Sequence, residues 1–175
     1  EVVDGIVMEL IEGQTLQDRL EQNLLNPDDV FALSNALIDG LEHIHSVGLT
    51  HNDLHSRNIL VQNNKLKIID ILYTDTLSQT STRSKKEKTR RDIRDLTTTL
   101  YDIAQRSSIS EIPRKQFGLA INSSEMSFTD MREALQTLYK AVEAESIPLI
   151  KRSDIGSLQE GHLRKLGRAF KEHRM

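Results

Sequence analysis

A chain of 175 residues with 37% hydrophobic and only 4% aromatic residues is sized for one domain with a core of Leu, Ile and Val. The absence of Cys excludes a disulfide framework and a thiolate zinc site and suits a cytoplasmic protein, the longest apolar runs are too short to span a bilayer, and no signal peptide is visible. The net charge of −3 is unevenly spread: residues 1–50 hold ten acids and one base, Arg19, and the remainder holds 22 bases and 16 acids, which suggests a bipolar surface or a cut through a larger charge pattern, with chance clustering as the plainer alternative.

Residues 6–11, Ile-Val-Met-Glu-Leu-Ile, read as a buried strand between Gly5 and Gly13. Thr15 can cap a short helix running to about Leu20. Asn26-Pro27-Asp28-Asp29 is a helix start, with Asn as N-cap, Pro in the first turn and two acids near the positive end of the dipole. Val30, Leu33, Leu37, Leu41 and Ile44 then recur at three- and four-residue steps, and Gly48 stands where a left-handed cap would end the helix. Leu60-Val61 and 66–69 flank Asn63-Asn64, a hairpin turn. Residues 74–84 are mostly Ser and Thr, and 83–94 hold seven Lys or Arg; together they read as an exposed loop running into a helix with the stripe Ile93, Leu96, Leu100, Ile103. Another helix starts at Ser127, with Asp130 as its capping-box partner, and buries Met131, Leu135, Leu138 and Val142; a last one covers roughly 156–172.

The segment His51-Asn52-Asp53-Leu54-His55-Ser56-Arg57-Asn58-Ile59-Leu60-Val61, followed by 66–70 ending in Asp70, concentrates the chemistry. It places an Asp, an Asn five residues on and a second Asp twelve residues after that, separated by apolar runs. A phosphoryl-transfer site needs this set: one carboxylate to orient a hydroxyl, and an amide and a second carboxylate to hold a metal ion. A loop in which Asp and Asn merely favour turns leaves the flanking Leu54, Ile59-Leu60 and Ile68-Ile69 unexplained.

In this order of strand, helix, loop and hairpin, residues 2–105 resemble the C-terminal lobe of a protein kinase. The resemblance implies a mainly α fold, the helical lobe of an α+β kinase-like domain, with a few short strands at the hinge and catalytic hairpin. It implies a single domain over 1–175 that lacks most of the N-lobe, with a hinge at about 6–13, a catalytic loop at 51–58, a D-F-G-like segment at 70–72 and a helical subdomain at 92–175. Met8 would stand beside the adenine of ATP, the backbone of Glu9 and Ile11 would bond its edge, and Leu60 would floor it. His51-Asn52-Asp53-Leu54 and Asn58 match the pattern H-R-D-L-x-x-x-N. Asp53 would then be the catalytic base, and Asn58 and Asp70 the ligands of Mg²⁺, which prefers hard oxygen donors. Asp92 would brace the catalytic loop.

The chain departs from the kinase pattern at several points. No Gly-rich loop precedes the hinge and no Lys occurs before residue 65. Asn52 replaces the Arg of H-R-D, D-F-G becomes Asp70-Ile71-Leu72, and no A-P-E follows between 73 and 91. A fragment, a partner-completed enzyme with an N-lobe-supplying segment, or a remnant are the implied explanations. The implied reaction is ATP- and Mg-dependent transfer to a hydroxyl, Ser or Thr of a protein by family default. His55, where Lys often stands, also resembles the aminoglycoside and choline kinases, which phosphorylate small molecules. A catalytically dead binding module for a partner protein is the third reading.

Other motifs carry less. His43, His45, His51 and His55 are split by Gly48 and do not read as a zinc site, and His51 reads as a packing residue. Gly156 to Gly161 begins like a P-loop, but His162-Leu163 stand where Lys and Ser or Thr are required. The Ser/Thr run reads as a solvated loop before a regulatory site. The basic segment lacks interleaved aromatics and reads as a solvated face before one that binds an acidic substrate, and not as a dedicated nucleic-acid surface.

Overall fold

The computed structural model describes residues 9–22, 25–62, 65–71, 81–122 and 125–146. The proposed turn at 63–64, Met8, Leu72, most of the Ser/Thr run and the helix expected at 156–172 lie outside them. The chain clusters into a compact unit of residues 1–142 and a second of 143–175, whose described part is the last turn of a helix.

Among the described residues the elements run β1 (Gln14–Thr15), α1 (Leu16–Gln22), α2 (Pro27–Ser46), a 3-10 turn (Ser56–Asn58), β2 (Ile59–Gln62), β3 (Lys65–Ile68), α3 (Thr82–Gln105), α4 (Glu111–Ile121) and α5 (Phe128–Ser146). The fold is mainly α, with one antiparallel sheet in the order β1-β2-β3. Its register pairs Thr15 with Leu60, Ile59 with Ile68 and Gln62 with Lys65. No described helix is long and apolar enough to cross a membrane.

Local chemistry accounts for the helix ends. The Thr15 hydroxyl accepts the Asp18 N–H at 3.1 Å and donates to the Asp18 carboxylate at 2.6 Å, starting α1. Asn26 accepts the Asp29 N–H at 2.8 Å and starts α2. At the other end of α2, Gly48 takes φ +79°; its N–H donates to the His45 carbonyl and that of Leu49 to the Ile44 carbonyl, a Schellman cap. The Ser127 N–H donates to the Asp130 carboxylate at 2.9 Å, and the Asp130 N–H donates back to the Ser127 hydroxyl at 3.1 Å. This reciprocal box starts α5 with Asp in the role usually given to Glu.

The apolar stripe of α2 is the centre of the core. Val30, Leu33, Leu37 and Leu41 are fully buried, as are Leu96 and Ile103 of α3 and Met131 of α5. Leu25, also fully buried, ties the α1–α2 connection to the end of α3: its N–H donates to the Arg106 carbonyl and its carbonyl accepts from Ser108.

Two expectations from sequence change here, and one helix is added. The described residues 9–12 form no strand, and Leu10 is 88% exposed, so the part of the expected 6–11 strand that is described is not buried. The basic segment belongs to the helix and not to the loop expected before it: α3 begins at Thr82, capped by the Ser81 hydroxyl, and carries the basic residues on its first four turns. Arg, Lys and Glu are good helix formers, and Glu87 and Asp95 supply i,i+4 ion pairs to Arg83 and Arg91. Helix α4 was not foreseen. Its Pro113 stands in the first turn, where the N–H has no intrahelical partner.

Candidate active site

The loop between α2 and β2 is held by a single buried carboxylate. Asp92, on α3 and fully buried, accepts the His51 N–H at 2.8 Å and the Asn52 N–H at 2.7 Å, one on each oxygen. His45 Nε2, from α2, bonds the same carboxylate at 2.8 Å. Asn52 sits at φ +64°, a left-handed conformation that Asn tolerates far better than a long or β-branched side chain. Its side chain donates to the Thr50 hydroxyl at 3.1 Å. Asn at this position is therefore matched to the backbone it must adopt.

His51, fully buried, joins the loop to the hairpin. Its Nδ1 accepts the Asp53 N–H at 3.3 Å, so Nε2 carries the proton and donates to the Ile69 carbonyl at 2.9 Å. The Ile69 N–H donates to the Asn58 carbonyl at 2.9 Å, and Asn58 Nδ2 donates to the Asp53 carbonyl at 3.0 Å. Asp53, Asn58 and the residue before Asp70 are thus linked in one closed set of hydrogen bonds. Asp70 is exposed at φ +66°, a conformation that Asp also tolerates, and Ile71 packs against the core.

The accessibility of the three groups differs in a chemically useful way. The Asp53 side chain is 64% exposed. Asn58 is buried, with its amide nitrogen committed to Asp53 and its amide oxygen given no donor among the described residues. An amide oxygen and an exposed carboxylate are hard donors that fit Mg²⁺, which leaves further positions for water and phosphate oxygens. No cluster of three or more His, Asp or Glu able to hold a metal occurs among the described residues. The histidines have separate tasks instead: His45 on Asp92, His51 on Ile69, and His55 capping the 3-10 turn by accepting the Arg57 N–H on Nδ1 at 3.3 Å. That bond leaves the His55 Nε2–H facing the Asp53 carboxylate at 3.5 Å.

The segment before β1 lies along the sheet. Glu9 pairs with Lys67 of β3 at 2.5 Å, with both side chains largely exposed. Gly13 packs so tightly on β2 that a Cβ there would meet the Val61 carbonyl oxygen at 2.8 Å. Ile11 and Leu60 are half-buried.

Sequence reasoning passed over two residues of this region. His45 follows Leu41 by four residues and so shares the inward face of α2, a signal present in the periodicity. Asp95, one turn after Asp92, has its pKa raised by burial above all; Arg91 opposes this and the nearby carboxylates of Asp92 and Asp53 add to it.

The Protein kinase domain model matches residues 3–101, more than half of the chain. The chain is 35% identical over 66 residues to the serine/threonine-protein kinase pakA of Talaromyces marneffei, covering 37% of this chain and 10% of that protein. The serine/threonine-protein kinase ste20 of Aspergillus oryzae is also 35% identical over 66 residues, covering 37% of this chain and 8% of the relative. The serine/threonine-protein kinase SMU1 of Mycosarcoma maydis is 36% identical over 56 residues, covering 32% of this chain and 8% of the relative. The match to each therefore spans a tenth or less of the relative's length. With the loop, the hairpin and the buried Asp92 in one hydrogen-bonded arrangement, the chain belongs to the protein kinase domain family.

Proposed function

We propose that this chain supplies the catalytic-loop half of an ATP- and Mg-dependent phosphotransferase that acts on a Ser or Thr hydroxyl of a protein. In this reading Asp53 orients the hydroxyl. Asn58 and Asp70 hold Mg²⁺, which neutralises phosphate charge when bound. The backbone of Glu9 and Ile11, with Met8 and Leu60, seats the adenine. The observation that carries the reading is the closed set of bonds from Asp53 through Asn58 and Ile69 to His51. Phosphoryl transfer depends almost wholly on positioning and on preorganised charge, and this bonding supports the reading by tying the backbone that carries Asp53 and Asn58 to the strand end just before Asp70.

The test is Asp53→Ala and Asp70→Ala, with phosphate transfer to a mixed Ser/Thr peptide library as readout. Each should lower turnover by at least about 10²-fold, and Asp70→Ala should also weaken ATP–Mg²⁺ binding in a calorimetric titration. Turnover within about tenfold of the parent for both variants would refute the assignment.

A second reading, transfer to a small-molecule hydroxyl, is favoured by the imidazole of His55 beside Asp53 where a protein kinase often carries Lys. A panel of aminoglycosides and amino alcohols, assayed beside the peptide library, separates the two.

A further inference from the structure

We propose that the basic face of α3 lines the docking groove for a carboxylate-rich segment of the protein substrate; this rests on the protein-substrate reading above and names its substrate class. A groove of about 1060 Å³ runs along the first half of α3, against the end of α4 and the start of α5. Its floor is apolar: Ile93 is half-buried, and Ile121 and Met126 are buried. Its rim is cationic, with Lys85, Lys86, Arg90 and Arg94.

Lys85 and Lys86 have no carboxylate partner among the described residues. Arg90 is held by Glu125 at 2.8 Å, but that pair is on the surface, with Glu125 74% exposed, so an incoming carboxylate can exchange with it at small cost. The occupant is read from charge complementarity. In a chain of net charge −3, these cations gather where α3 leads to Asp92, the residue that holds the catalytic loop. From Lys85 to Arg94 the helix rises about 14 Å, which matches roughly four residues of an extended peptide. A peptide with acidic residues over such a stretch can lay carboxylates along the rim and one apolar side chain on the floor.

The experiment uses the 175-residue chain and fluorescein-labelled peptides of about ten residues with a central Ser, flanked by Glu in one and by Lys in the other. Anisotropy at low salt should show the Glu peptide binding at least about tenfold tighter, with the difference shrinking as salt is raised. The double variant Lys85→Glu with Lys86→Glu should lose at least about tenfold of that affinity, and Glu125→Gln, which frees Arg90, should increase it. Circular dichroism verifies that both variants are folded. Equal binding of the two peptides, or no response to charge reversal in a folded variant, overturns the proposal. Tighter binding of a single-stranded oligonucleotide of equal charge, lost in the same variant, also overturns it and marks the face as a nucleic-acid surface. The peptide assay contains no nucleotide, so its failure is distinct from a failed ATP–Mg²⁺ titration with Asp70→Ala.

Discussion

The carboxylate of Asp92 accepts the backbone N–H of Asn52 at 2.7 Å while Asn52 stands at φ +64°. A residue forty positions away thus stabilises a backbone conformation that local sterics disfavour. The same carboxylate takes the His51 N–H and the His45 ring, so three donors converge on one buried group. Backbone strain at the loop and burial of a charge in the core are two local costs that this convergence offsets together.

Asp92→Ala should therefore do more than remove a side chain. It leaves the buried His51 N–H, the half-buried Asn52 N–H and an imidazole without their acceptor, and we expect a loss of about 3 kcal/mol. For a chain of this length that corresponds to a fall in Tm of roughly 6–12 °C. Thermal and urea unfolding followed by circular dichroism measure it. A loss below about 1 kcal/mol would mean that water replaces the carboxylate and that the loop does not depend on α3.

Gly48 offers a simpler test of local conformation. A Cβ placed there meets nothing within 4 Å, so Gly48→Ala introduces no clash with a neighbour. Its cost comes from φ +79° alone and should be about 1 kcal/mol. Gly48→Asn should recover part of it, because Asn enters the left-handed region more readily. Equal stability of all three proteins would show that the Schellman cap contributes nothing measurable.

Two carboxylates of opposite shift make the pH dependence of stability specific. The Asp130 carboxyl is held below the usual range by the Ser127 N–H and hydroxyl. Its contribution is present above the unfolded-state pKa and is lost as pH falls through the lower folded-state value. Asp95 is raised by burial, against the opposing charge of Arg91. The folded state binds its proton more tightly, so its ionisation costs stability above the folded pKa, and that cost disappears as pH falls below the unfolded one. Asp95→Asn should raise the unfolding midpoint at pH 7 and leave it nearly unchanged near pH 3; Asp130→Asn should lower it at pH 7. Urea titrations at the two pH values decide, and identical behaviour of both variants would contradict the assigned signs.

What residues separated by three to five positions can settle among themselves was legible in the sequence. Asn26-Pro27, the stripe from Val30 to Ile44, Gly48, and Ser127 with Asp130 each specify a helix or its end by local hydrogen bonding or periodicity, and each is found as expected. The spacing of Asp53, Asn58 and Asp70 was equally legible, because it lies within one loop and hairpin. Tertiary structure alone decided the rest. That His45 and Asp92, 47 residues apart, share one hydrogen bond, and that His51 reaches the Ile69 carbonyl, depends on how α2, α3 and the hairpin pack. A sequence displays which groups could bond; only the packed core brings distant donors and acceptors within 3 Å and excludes the water that would otherwise satisfy them.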